Sequence, residues 1–258
     1  VAESDWSASL DVAQISDVQN GTFSVRTNLK EIILSDKITE IPERTFEGLS
    51  NLEKVNIGTG VTTIGANAFA GTSIKTLIIP DNVTTLDVDA FKGMEYIEQI
   101  VLGAGITEIP ANMFNGLATL KTVAIGNNVV SIGANAFAGT SITTLDIPDS
   151  VTTLDANAFK GMILETITFG AGITEIPANM FAGMTTVKNV TLGANTTVIG
   201  DSAFANTSIA TIVIPNGVTT IGTNAFANTL LTEIAIPNTV TTLEDFCLPF
   251  NFSFNVSR

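Results

Sequence analysis

Histidine is absent from the 258 residues, and cysteine occurs once, as Cys247. The chain therefore has no imidazole for acid–base catalysis and no histidine metal ligand. A single cysteine excludes an internal disulfide framework, although a large secreted repeat protein needs none. Cations are scarce: 11 Lys and Arg stand against 25 Asp and Glu, a net charge of −14. Nucleic acid and anionic membrane surfaces require basic side chains to neutralise phosphate, so neither is an expected partner. No apolar run is long enough for a membrane span, so no membrane insertion is expected. The chain begins at Val1 without an initiator Met or a charged leader, the expectation being a processed mature chain or a fragment.

Catalytic constellations are also missing. Without histidine there is no Ser–His or Cys–His pair. The glycines recur at turn positions and form no phosphate-binding fingerprint. Glu40, Glu108 and Glu175 recur once in three repeats, which at strand spacing separates them by roughly 14 Å, too far to share a substrate atom. Asp87 and Asp155 precede an Ala-Phe turn and read as caps. No metal site and no cofactor are implied, and the chain is expected not to be an enzyme.

What the sequence does contain is repetition. Ten units start at Leu29, Leu52, Ile74, Ile97, Leu120, Ile142, Leu164, Val187, Ile209 and Leu231, in steps of 22 or 23 residues. Such a period marks a solenoid. Each unit opens with apolar residues at positions 1, 4 and 6, such as Ile74, Leu77 and Ile79; positions 4 and 6 have strand spacing and share a face. A turn follows, as in Pro80-Asp81-Asn82, then a short segment such as Val61 to Ile64, then an A-F-x-G stretch. The fold class expected is a β-rich, leucine-rich-repeat solenoid, a right-handed superhelix of ten coils. Each coil has one main strand, a short second strand and a helical or 3₁₀ turn.

Columns run through the repeats. Phe46, Phe69, Phe91, Phe114, Phe137, Phe159, Phe181, Phe204, Phe226 and Phe246 predict an aromatic spine. Asn67, Asn112, Asn135, Asn157, Asn179 and Asn224, two residues earlier, are expected to satisfy loop backbone groups or cap the turn. Position 2 alternates in charge (Lys30, Glu53, Lys75, Glu98, Lys121, then Thr143, Glu165, Lys188), so opposite charges should face each other between coils. A three-coil period overlies the short one: TEIPANMF occurs at 107–114 and 174–181, and IGANAFAGTS at 64–73 and 132–141.

The pattern IPxxVTxIGxxAFxG, standing here as Ile214-Pro215-Asn216-Gly217-Val218-Thr219-Thr220-Ile221-Gly222-Thr223-Asn224-Ala225-Phe226 with Asn228 in place of the final Gly, closely resembles the BspA-type leucine-rich repeat family over residues 29–246. The resemblance implies a curved solenoid on a surface or secreted protein used in adhesion. Members often carry Cys after the A-F-x-G segment, where this chain has Thr72, Thr140 and Thr207.

Residues 1–28 lack the repeat and read as an N-terminal cap, with Phe23 and Val25 at strand spacing. Residues 247–258 read as a C-terminal capping or docking strand, in which Phe250, Phe252, Phe254 and Val256 share one apolar face. Between positions 4 and 6, Ile33, Ile78, Val101 and Ala124 should point outward as a candidate partner face. Glycosylation sequons start at Asn20, Asn82, Asn189, Asn195, Asn206, Asn251 and Asn255. A Thr column (Thr39, Thr62, Thr84, Thr107, Thr152, Thr174, Thr197, Thr219, Thr241) suits half-exposed strands or an ordered-water, ice-binding surface.

The sequence thus points first to a non-enzymatic extracellular or cell-surface recognition module, engaging a protein or glycan partner on another cell or matrix. A structural alternative is a subunit that self-associates end to end into a filament through the C-terminal strand. Ice binding is a third reading.

Overall fold

A computed structural model describes residues 9–12 and 28–249. They divide into two compact units, Val1–Thr107 with Met113–Asn128 and Glu108–Asn112 with Val129–Arg258. Each unit is a parallel β-solenoid. In the first, main strands lie at Glu31–Leu34, Lys54–Asn56, Thr76–Ile78, Gln99–Val101 and Thr122–Ala124, with short strands at Glu40–Ile41, Thr63–Ile64 and Thr85–Leu86. In the second, main strands lie at Thr144–Ile147, Thr166–Phe169 and Asn189–Thr191. Its seven short strands run from Glu108–Ile109 through Thr242–Leu243. The ten expected coils thus each have a short strand, and eight have a main strand. Ser9–Val12 adds a parallel strand to Glu31–Leu34; Phe23 and Val25 lie outside the described residues.

Register follows the repeat. Leu77, Ile100 and Val123 align across three strands, as do Ile41, Ile64 and Leu86. A slip of one residue would turn every such side chain outward, so burial enforces the alignment.

The expected helical or 3₁₀ turn is not formed among the described residues. The A-F-x-G corner is a run of hydrogen-bonded turns, and many of its N–H groups donate to the adjacent coil. Phe46 N–H reaches the Ala68 carbonyl at 2.8 Å, and Asn67 N–H reaches that of Asp89 at 2.9 Å. A helix would direct these donors back along its own segment; stacked coils offer carbonyls alongside instead.

The backbone gives five of the six residues of the Asn column a further role, Asn157 not being among them. Asn67, Asn112, Asn135, Asn179 and Asn224 have φ of 53, 64, 54, 61 and 56°. They are selected for the left-handed backbone, which Asn tolerates better than most residues. Asp87 and Asp155 do cap, each accepting the N–H two residues on, at 2.9 and 2.8 Å.

The column's Phe residues from Phe46 to Phe226 are all fully buried and form a spine within each unit. Centroids lie 5.6 Å apart for Phe46 and Phe69, 5.7 Å for Phe91 and Phe114, and 5.4 Å for both Phe181–Phe204 and Phe204–Phe226. Phe246 does not belong to it. Phe226 N–H donates to the Cys247 carbonyl, whereas Phe204 N–H donates to that of Ala225. The tenth spine position is therefore Leu248, one residue beyond Cys247. Phe246 falls in the Asn column instead, at φ 53° and 64% exposed. Counting A-F-x-G by its Phe misplaced the corner by two residues.

Thr72, Thr140 and Thr207 are buried, and so is Thr229. Each hydroxyl donates to the Phe carbonyl three residues earlier, at 2.8–2.9 Å. On the surface, Glu98 lies between Lys121 (2.7 Å) and Lys75 (3.6 Å), and Lys188 meets Glu165 at 3.2 Å. Lys54 pairs with Glu31, one position along from the expected charge column.

Phe181→Ala should cost about 3–5 kcal/mol in chemical denaturation, the usual price of a cavity in a packed core. Phe246→Asn should raise the melting temperature, by relieving a left-handed bulky residue; a fall would reject the register assigned to this corner. The Lys121 hydrogen bond holds the Glu98 carboxyl below the usual glutamate range. Its small stabilising contribution is present above the unfolded glutamate pKa and is lost as pH falls through the lower folded value. Lys121→Ala should move the Glu98 titration upward in carboxyl NMR, and an unmoved curve would contradict the pairing.

Candidate functional site

The main strands orient the outward column. Their buried positions alternate with exposed ones, as in the exposed–buried–exposed pattern of Thr76–Ile78. Ile78 is 61% exposed, Val101 half-buried and Ala124 exposed. Ile78 pairs in register with Val101, and Val101 with Ala124, so three apolar side chains form a strip across adjacent strands at about 4.8 Å spacing. Ile33, 37% exposed, lies in a separate sheet, in register with Asn56. The structure thus groups three of the four residues and leaves Ile33 apart.

In the second unit the column reads Asp146, Thr168, Thr191, Val213 and Ala235. Val213 is 82% exposed. Beside it a cleft of about 370 Å³ opens, lined by Asn189 to Leu192 on one wall and by Thr211, Ile212, Val213 and Pro215 on the other. The main sheet ends at this wall: Asn189–Thr191 is its last strand, and residues 211–214 form none.

A local signal for the opening exists in the corner before it. Thr207 turns its hydroxyl onto Phe204, and Ser208 N–H donates to the Val187 carbonyl at 2.9 Å while its hydroxyl holds that of Thr185. In the paired coils the first inter-coil bond falls later, as when Lys188 N–H donates to the Glu165 carbonyl. In the first unit the corner at Thr72-Ser73 is built in the same way, Ser73 N–H donating to the Leu52 carbonyl. There too the main sheet breaks, between Lys54–Asn56 and Thr76–Ile78. Thr-Ser was legible in the sequence as part of the three-coil period, but its effect on the sheet was not.

The remaining candidates separate by location. Thr62, Thr197 and Thr219 turn their hydroxyls onto the neighbouring coil's carbonyl at 3.1–3.2 Å. The residues following the Thr column include Glu108, Glu175 and Val198, which interrupt any uniform hydroxyl array. Among the sequon asparagines, the Asn82 and Asn195 amides donate to the carbonyls of Thr59 and Ala171. Asn189 donates to the Thr166 hydroxyl at 3.3 Å, and Asn206 accepts from Asn228 at 3.1 Å. Asn20, Asn251, Asn255 and the strand residues Phe250, Phe252, Phe254 and Val256 lie outside the described residues. Cys247 is buried, and burial raises its thiol pKa. Among the described residues no cluster of three or more Cys, Asp or Glu is placed to hold a metal, and no helix is long and apolar enough to cross a membrane.

No curated protein sequence matches the chain. Among solved structures, it is similar to a leucine-rich cell surface protein of Faecalibacterium prausnitzii at 22% identity, covering 93% of this chain and 74% of that one with a TM-score of 0.47. A leucine-rich repeat protein of Bacteroides ovatus is 21% identical, with 93% and 80% covered and a TM-score of 0.49. The leucine-rich repeat protein of T. pallidum is 18% identical over 69% and 76% of the two chains, with a TM-score of 0.48. The family model for the BspA type leucine rich repeat region matches residues 16–141 and 130–254 in six copies. With the repeat, its register and its corners described, the chain belongs to the BspA-type leucine-rich repeat family.

Proposed function

We propose that this chain is a non-enzymatic recognition module, displayed outside the cell, that engages a protein partner through the outward residues of its main strands. The reading rests on the Ile78–Val101–Ala124 strip, whose alignment on three paired strands concentrates exposed apolar surface on a rigid support. Membership of a repeat family that acts through protein binding supports it. Rigid elements suit recognition because little side-chain or loop freedom is lost on association.

Beads coated with the chain should adhere to cultured epithelial cells or to their deposited matrix. Ile78→Lys combined with Val101→Lys should reduce adhesion at least about tenfold, the effect of removing a central apolar anchor. The melting temperature should change little, because exposed substitutions rarely alter stability by more than about 0.5 kcal/mol. Adhesion equal to that of the unmodified chain would remove this face from the mechanism, and absence of adhesion by the unmodified chain would remove the adhesive reading itself.

A further inference from the structure

The open edge in the second unit is a separate feature with its own chemistry. Asn189 N–H points back to coil seven, donating to the Glu165 carbonyl. In a parallel strand successive residues direct their backbone groups to opposite sides, so Val190 presents its N–H and C=O to the cleft. The N–H of Leu192 faces the same way. Where the main strands pair, its equivalents are occupied: Ile79 N–H donates to the Val101 carbonyl at 2.9 Å, and Leu102 N–H to that of Ala124 at 3.0 Å. The corresponding acceptor for Leu192 is Val213, whose segment has left the sheet.

We infer that this cleft binds an extended polypeptide segment of a partner protein by strand addition to Asn189–Thr191. The inference rests on the reading of the chain as a protein-recognition module. Three observations select the occupant. Donors and acceptors alternating along a strand edge are matched by another main chain, which repeats both at the same spacing. A volume of about 370 Å³ lies at the lower end of the roughly 300–1,000 Å³ typical of ligand clefts, enough for a short run of small side chains and not for a helix. Charge selects the flanks: residues 129–249 contain many carboxylates but only two cations, Lys160 and Lys188. Lys188 is neutralised by Glu165. Glu233, exposed, occupies in the next coil the repeat position of Thr211. A segment with Lys or Arg beside a Val/Thr-rich centre is complementary to this surface, and a second copy of so acidic a chain is not.

The probe is an eight-residue peptide, Lys-Thr-Val-Thr-Val-Thr-Val-Lys with blocked ends, titrated into the ¹⁵N-labelled full chain. Before addition, the Val190 and Leu192 amides should exchange with solvent at least about a hundredfold faster than Ile167, which is paired within the ladder. Protection equal to that of Ile167 would mean a closed edge and overturn the inference. Saturable shifts should be confined to residues 188–192 and 211–215, with exchange at Val190 slowed. No saturation at millimolar peptide, or shifts centred on Ile78–Ala124, would also overturn it. Replacing the terminal Lys residues by Glu should weaken binding at least about tenfold and reverse its response to salt.

Val213→Arg, at an exposed position, should weaken the Lys-flanked peptide similarly without lowering the melting temperature; unchanged affinity would exclude this wall of the cleft. The Ile78→Lys/Val101→Lys variant should bind the peptide normally. Loss of cell adhesion with retained peptide binding, or the reverse, therefore separates a failure of one site from a failure of the other.

Discussion

Each coil must close within 22 or 23 residues and present its backbone donors and acceptors in line with those of its neighbour. Most of the sequence pattern follows from that constraint. A corner that hydrogen-bonds sideways cannot be a helix, so its residues need backbone angles a helix would not require. Asn67, Asn112, Asn135, Asn179 and Asn224 supply the left-handed conformation at one position, and Gly71, Gly93, Gly116, Gly139 and Gly183 supply it four residues later. Close approach of adjacent coils adds a second demand. A Cβ on Gly200 would stand 2.6 Å from the Ala178 backbone nitrogen, inside any permissible contact, so the stacking distance itself excludes a side chain. Buried Phe rings then fill the interior of each unit, as where Phe181, Phe204 and Phe226 stack at a separation set by the backbone.

The constraint also explains how much was legible. Period, main strands, short strands and spine could be read because each recurs in coil after coil, and repetition separates signal from local noise. Reading went astray where one residue type serves two positions. Phe246 matches the spine in identity and in approximate spacing, yet the Phe226 to Cys247 bond places it in the Asn column. Asn suggested a side-chain role, and the left-handed angle that five of these backbones adopt was not visible in the sequence. The misplacement of Phe246 could not be detected from composition, because it concerns which backbone group faces the next coil.

The outward column was legible for a simpler reason: strand alternation assigns sides without reference to partners. What alternation cannot give is continuity between strands. Ile33 and Ile78 stand at equivalent repeat positions but in different sheets, because a Thr-Ser corner intervenes. Thr72 and Thr207 each satisfy a buried hydroxyl on the Phe carbonyl, and the following Ser binds the preceding coil early. The inter-coil bond that would start the main ladder is thereby made before the strand begins. The corner at Gly161-Met162-Ile163 is equally short, lacks the Thr hydroxyl, and leaves Thr144–Ile147 and Thr166–Phe169 paired. Loop length alone therefore does not open the sheet; the Thr-Ser chemistry accompanies the opening.

An open strand edge is ordinarily a hazard, since it offers a template to any extended chain. Here the exposed groups are few and lie in a cleft instead of on a flat rim, in a stretch, residues 129–249, whose carboxylates outnumber its two lysines and discourage association between copies. Those features limit access without filling the edge. A closed ladder was available by repetition of a corner already present in the same unit, at Gly161–Ile163, and would have paired Val190 and Leu192 as their equivalents are paired. Retaining Thr-Ser at this step costs backbone hydrogen bonds, each worth about 0.5–1.5 kcal/mol net, and the spine across the same coils remains stacked at 5.4 Å. The interior thus supports the fold independently of the main sheet, which leaves the sheet edge free to take a partner strand without endangering the core.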